Sequence, residues 1–310
     1  MGRPALPGLR RAPFPLVAVL ALAACGGDGA TGPPAGFVPG TSYFGTGHYV
    51  EYIAGDLPVI VAAPHGGALR PVEMPDRASP DSLRDTNTQE LVRAIDTAFV
   101  AATGHHPHVV MCLVHRVKLD CNRELAVAAM GDPAAAQAWA EFQAFIDSAK
   151  AAVVRAYGRG LYVDVHGHGH AIQRLELGYL LTGTDLGLAD SVLDGASWLD
   201  AVSVRSLAAQ PGRRLSAVLR GPSSLGDLFA ARGYAAVPSG ADPAPGGTPY
   251  FGGGYNTARH GSRTSGTISG VQLEANYTRL RDTPAARAAF AGVFVAVVRA
   301  YLQTWLELTM

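Results

Sequence analysis

Apolar positions along this chain fall into short, near-continuous runs separated by longer stretches of helical period. Residues 57–63 read LPVIVAA, the pattern of a strand covered on both faces. Runs at 108–114, 161–165, 177–181 and 267–275 predict further strands, with 117–121 an extended piece beyond the second. Between them Leu91, Ile95, Ala98 and Phe99 recur at helical spacing. Asn87 stands three residues before Glu90 as in a capping pair, so a helix is predicted to open within 85–90. Residues 133–155 predict a long Ala-rich helix, 223–231 a short one and 284–308 a closing one. Residues 238–254, dense in Pro and Gly, predict a long loop able to act as a lid. Strands alternating with helices argue for an α/β sandwich with a mainly parallel sheet, and no repeat of solenoid length interrupts it.

The amino-terminal pattern is of another kind. Arg3, Arg10 and Arg11 precede an apolar run at 14–24 that is too short to span a bilayer, the form of an export signal. It ends in Leu22-Ala23-Ala24-Cys25, which resembles a bacterial lipobox and implies cleavage after residue 24 with a lipid on Cys25. The expected organisation is therefore a signal over 1–24, a Gly/Pro/Ala-rich flexible tether over 25–40 and one catalytic domain over 41–310. No later stretch is expected to cross a membrane, so the membrane is met only through Cys25, in the bacterial cell envelope on its periplasmic or cell-surface side, with the outer membrane the expected location. About 270 residues suit one domain with a large core. The formal net charge is +0, which removes any electrostatic argument for a nucleic-acid partner. Cys112 and Cys121 are compatible either with a disulfide or with two buried thiols.

The polar groups that carry chemistry stand where the apolar runs stop. Pro64-His65-Gly66-Gly67 follows the first run, Asp164-Val165-His166-Gly167 closes the third, and Gln272-Leu273-Glu274 lies in the last. In an open α/β sheet such positions converge on one crevice at the carboxyl ends of the strands. His65 and His166 are candidate metal ligands, and strand alternation puts Asp164 on the face of His166 as a supporting acceptor. The acidic ligand is Asp85, at the start of a helix, or Glu73, in a loop between Pro71 and Pro75; helix geometry favours Asp85. Glu274, a carboxylate in an apolar strand, is the candidate general base. Arg123 with Asn122 offers a fork for a substrate carboxylate, and Arg116 offers the same or the stabilisation of an oxyanion. His168 and Arg259 are further candidates for the substrate side. The series His166-Gly167-His168-Gly169-His170 could also hold metal in its own right.

Taken in order, Pro64-His65-Gly66-Gly67, Asp85-x-x-Thr88-x-Glu90-Leu91, Arg116-x-x-x-Asp120-x-Asn122-Arg123, Asp164-x-His166, Phe251-Gly252-Gly253-Gly254-Tyr255 and Gln272-x-Glu274-x-x-Tyr277 resemble the motifs of the N-formylglutamate amidohydrolase family. The resemblance implies a three-layer α/β sandwich around a mainly parallel or mixed sheet, of the phosphorylase/hydrolase-like kind, related to zinc carboxypeptidases. It implies one Zn2+ per chain on matches of His65, an acidic residue and His166, a carboxylate grip at Asn122-Arg123, and a base at Glu274. The carboxypeptidase His-x-x-Glu pair is absent, because Ala68 stands at the Glu position.

The expected activity is hydrolysis of a carbon–nitrogen amide bond in an N-acyl amino acid or small peptide that bears a carboxylate. A carboxypeptidase-like peptidase acting on cell-wall or poly-glutamyl peptides is the alternative enzyme. A metal- or solute-binding lipoprotein without turnover is the alternative outside enzymes; it would have no use for Glu274 and Arg123 beside the histidines.

Overall fold

A computed structural model of the chain describes residues 36–79 and 81–310. The expected export signal, Cys25 and most of the expected tether lie outside the described residues. The last part of that tether is already in the fold: the Phe37 ring meets Tyr43 at 4.8 Å and Tyr52 at 5.1 Å, both edge-on.

Among the described residues, eight strands form one sheet. They are β1 (Ser42–Phe44), β2 (Val50–Ile53), β3 (Val59–Ala63), β4 (His108–Cys112), β5 (Gly160–Gly167), β6 (Leu175–Gly178), β7 (Ala236–Val237) and β8 (Ile268–Ala275), in the spatial order β1-β2-β4-β3-β5-β8-β6-β7. β4, β3, β5 and β8 are parallel neighbours. The flanks are antiparallel, β2 on β4 and β6 on β8, which makes the sheet mixed. The antiparallel hairpin of β1 and β2 escaped the sequence reading; its members are three and four residues long, too short to show a period.

Alternation along the central strands sets three layers. Val59, Val61 and Ala63 face one core with the helices Thr88–Thr103 and Pro284–Tyr301, while Ile60 and Ala62 face a second core with the helix Pro133–Tyr157. The closing helix continues as a wider turn over Leu302–Leu306. Contrary to the expectation that no late stretch could cross a membrane, Pro284–Leu306 is long and apolar enough by composition. Phe290, Phe294, Val298 and Tyr301 are buried in the core, so that apolar surface has a protein partner. The helix Thr88–Thr103 forms as predicted but without the expected cap. Asn87 adopts a left-handed conformation and its Nδ2 donates instead to the Arg281 carbonyl at 2.8 Å. Cys112 and Cys121 are both free and buried.

This topology places the crevice. From β3 the chain crosses to β4 through Thr88–Thr103 on one face, then returns to β5, on the other side of β3, through Pro133–Tyr157 on the opposite face. The two crossovers part at the carboxyl end of β3, and the gap between them is where a ligand can enter.

Candidate metal centre and active site

His65 lies two residues beyond β3. The Gly66-Gly67 that follows has ordinary backbone angles; its glycines are required by close approach, not by a left-handed turn. A Cβ on Gly66 would stand 2.4 Å from Thr88 Oγ1, and one on Gly67 would stand 2.3 Å from the Leu113 carbonyl carbon. The turn is thereby pressed between the first helix and the strand-end of β4, and His65 is aimed into the crevice. The loop that carries Asp85 closes on it, with the Asp85 N–H donating to the His65 carbonyl at 3.1 Å.

His166 lies on β5, in register with Glu274 on β8. The two imidazoles meet edge to face with centroids 4.8 Å apart. Their Nδ1 atoms face one oxygen: Asp85 Oδ2 is 3.5 Å from His65 Nδ1 and 3.3 Å from His166 Nδ1. Ligand atoms of His65, Asp85 and His166 all lie within 4.8 Å of one another. The opposite ring nitrogens are each held by a carboxylate. Asp120 Oδ1 is 2.6 Å from His65 Nε2, and Asp164 Oδ2 is 2.9 Å from His166 Nε2. A carboxylate on the far nitrogen is the arrangement that orients an imidazole toward a metal and raises its donor strength.

The donor set fits a transition-metal ion of the zinc class. Two nitrogens and one carboxylate suit such a cation, and His65 Nδ1 is buried with no hydrogen-bond partner, an orphan lone-pair position aimed at Asp85. Charge agrees. Burial opposes ionisation of Asp85, yet the imidazoles of His166 and His65 facing it hold its carboxyl well below the usual range. Burial also disfavours the His166 imidazolium, but Asp164, then Asp85 and Glu274, pull its pKa well above the ordinary histidine value. Asp120 behaves as Asp85 does: burial is outweighed by His65, with Arg116 and Arg123 adding to the effect. Carboxylates crowd two imidazoles here, a field that attracts a cation.

Glu274 borders this centre in a cleft of about 500 Å³ whose walls include Arg116, Arg123, His168, His170 and Gly254. Burial pushes its pKa up to about 7, with Asp85 and Glu176 adding repulsion and His166 opposing. Its Oε1 accepts from Gln272 Nε2 at 2.9 Å, and Gln272 Oε1 is buried without a partner.

The remaining sequence candidates divide. Arg116 and Arg123 line the cleft. Arg116 Nε donates to Asp120 Oδ2 at 3.0 Å, and Arg123 pairs with Asp81 at 3.0 Å. Asn122 also lines it, but its Oδ1 accepts the Asn256 N–H at 2.8 Å and its Nδ2 lies 3.3 Å from His166, so it positions the site instead of reaching out of it. His168 lines the cleft with both ring nitrogens engaged inside the protein, by the Arg174 carbonyl and the His170 N–H. Two candidates fall elsewhere. Glu73 is an exposed loop residue hydrogen-bonded to Tyr49, away from both imidazoles. Arg259 is absent from the cleft wall; it pairs with Asp147 at 3.1 Å and lies over the Trp139 ring, because the short helix Tyr255–His260 turns it to the outer surface.

Two groups essential to the geometry were not singled out from the chain. Asp120 stands in sequence within the Arg116-x-x-x-Asp120-x-Asn122-Arg123 motif with no role of its own, and only the fold brings it to His65. Arg281 is buried and donates to the carbonyls of Ala275 and His168, tying the carboxyl ends of β8 and β5 together. Nothing in the local sequence marks it. The 238–254 loop is also anchored: Arg174 reaches Asp242 at 2.7 Å and Thr248 at 2.9 Å, and the Tyr250 hydroxyl donates to the Leu177 carbonyl at 2.7 Å.

No family model matches the chain, and no curated protein matches it. Solved structures similar to it include a crystal structure of N-formylglutamate amidohydrolase from Ralstonia eutropha, 14% identical, covering 82% of this chain and 96% of that chain with a TM-score of 0.48. A gene product from Agrobacterium tumefaciens is 16% identical and covers 83% of this chain and 94% of that chain with a TM-score of 0.47.

Proposed function

We propose that the chain is a zinc-dependent amidohydrolase that cleaves a carbon–nitrogen amide bond near a carboxylate, in an N-acyl amino acid or small peptide. The observation that carries this reading is the paired construction of the centre: two imidazoles turned on one carboxylate, each braced from behind by an aspartate, beside a buried glutamate. A solute-binding site needs the first part and not the glutamate.

His65, Asp85 and His166 would hold the ion, which when bound acidifies water and polarises the substrate carbonyl. The rest is the work of side chains. Asp120 and Asp164 keep the imidazoles in the ligating tautomer. Glu274, its pKa near neutrality, takes the proton from the attacking water and returns it to the leaving nitrogen; a base tuned close to the working pH does this best. Arg116 faces the same cleft and favours negative charge on the former carbonyl oxygen. Arg123, more exposed and bound by Asp81 and the Asn122 carbonyl, can exchange those partners for a substrate carboxylate. Residues 1–25 add the expectation of a lipid anchor, which would set this chemistry in the cell envelope.

The test is metal content and turnover of the full chain and three variants. About one zinc should be lost with His65→Ala and with His166→Ala. Glu274→Gln should keep the ion and lower kcat by about 10²–10⁴-fold on N-acyl amino acids. A zinc content unchanged from the wild type in both histidine variants, or unchanged turnover in Glu274→Gln, would refute the assignment.

A further inference from the structure

We propose that His168, His170 and Glu176 form a second divalent-metal site, separate from the first and selective for borderline transition metals of the zinc and cobalt class. Ligand atoms of the three lie within 4.8 Å of one another. Two imidazole nitrogens and one carboxylate oxygen suit zinc, cobalt or nickel better than calcium or magnesium, which prefer all-oxygen sites.

Each member is prepared for the role. His168 Nε2 donates to the Arg174 carbonyl at 2.8 Å, which fixes the tautomer and makes Nδ1 the acceptor nitrogen; Nδ1 accepts the His170 N–H at 3.1 Å, a bond that a bound ion would replace. A backbone carbonyl on the far ring nitrogen is a usual support for a ligating histidine. His170 Nδ1 lies 2.8 Å from Glu176 Oε1, and its ring is stacked on Phe251 with centroids 4.7 Å apart. Glu176 is fully buried, and its Oε2 accepts the Phe251 N–H at 2.9 Å. Among the described residues its ion pair is with His170 alone, while β6 sets it directly opposite Glu274 on β8. Two buried carboxylates on facing positions are costly without a cation between or beside them.

The spacing separates this site from the catalytic one. The His168 N–H donates to the Ala275 carbonyl at 3.2 Å, so the extended pairing of β5 on β8 runs on past Gly167. His166 and His168 are then two residues apart on an extended strand, about 6.6 Å. The two ligand sets share no residue, and His168 and His170 line the cleft beside the first set. The inference does not depend on the first site being occupied or on hydrolytic activity.

The experiment is a Co2+ titration of the metal-free full chain, followed by its visible absorption and by metal analysis after gel filtration. The expected result is two ions per chain, falling to one in His170→Ala and in Glu176→Gln. His65→Ala should also fall to one, and His65→Ala with His170→Ala should bind none. A wild-type chain saturating at one ion that His170→Ala retains would overturn the proposal and leave His170–Glu176 a hydrogen-bonded pair. Two ions unaffected by His170→Ala and Glu176→Gln would overturn it as well. Should Glu176→Gln fail to fold, the wild-type stoichiometry and the variant of the partly buried His170 still decide. Failure of the hydrolase reading would show separately, as lack of turnover or as a count insensitive to His65→Ala.

Discussion

Asp120 Oδ1 lies 2.6 Å from His65 Nε2, across 55 residues of sequence. The contact joins the loop after β4 to the turn after β3. It aims the free Nδ1 of His65 at Asp85, while Arg116 and Arg77 compensate the other carboxylate oxygen of Asp120 at 3.0 and 3.8 Å. One aspartate thus couples the candidate metal centre to Arg116 of the cleft.

Asp120→Asn keeps an acceptor beside His65 but removes the charge that strengthens the imidazole. Zinc affinity of the full chain should fall about 10–100-fold, read by competition with a chromogenic chelator. Unchanged affinity would show that the second carboxylate is not part of the centre.

The Gly67 turn tolerates no side chain. An added Cβ would stand 2.4 Å from both the Leu113 and Val114 carbonyl oxygens. Gly67→Ala should destabilise the fold by about 1–3 kcal/mol, seen as a lower thermal midpoint, and the displaced His65 should bind metal more weakly.

Away from the site, His108 is a titrating core group. Its Nδ1 accepts from the Gly55 N–H at 3.1 Å and meets the Tyr52 hydroxyl at 2.8 Å, and burial pushes its pKa down to about 4. The folded state keeps it neutral, whereas the unfolded chain protonates it near the ordinary value of about 6.5. Its contribution is therefore fully present above about pH 6.5 and is lost as pH falls toward 4, up to about 3 kcal/mol. Denaturant unfolding from pH 7 to 4 should show that slope, and His108→Asn, with Oδ1 in place of Nδ1, should flatten it.

Arg259 supplies a contrast. It pairs with Asp147 and lies outside the cleft, so Arg259→Ala should leave KM for a carboxylate-bearing substrate within about two-fold, as for surface ion pairs generally. Arg123→Ala should raise it by about ten-fold or more, since charge-assisted pairs are the strong ones. Steady-state kinetics on one N-acyl amino acid would separate the two arginines.

Much of this protein is determined by local pattern. Continuous apolar runs mark the buried parallel strands, so β3, β5 and β8 and the polar groups that end them can be read from the chain. Period-2 alternation puts Asp164 behind His166 and Gln272 beside Glu274 without knowledge of any neighbour. Only tertiary structure decided which distant groups meet. Asp85 reaches both imidazoles and Glu73 neither, because the loop after His65 folds back on the His65 carbonyl. Asp120 becomes the brace of His65, Asn87 abandons its cap for Arg281, and Arg259 turns away to Asp147. The physical reason is range: strand and helix periods are set by neighbours a few residues away, while a hydrogen bond between side chains 55 positions apart exists only once packing has placed two strand ends together.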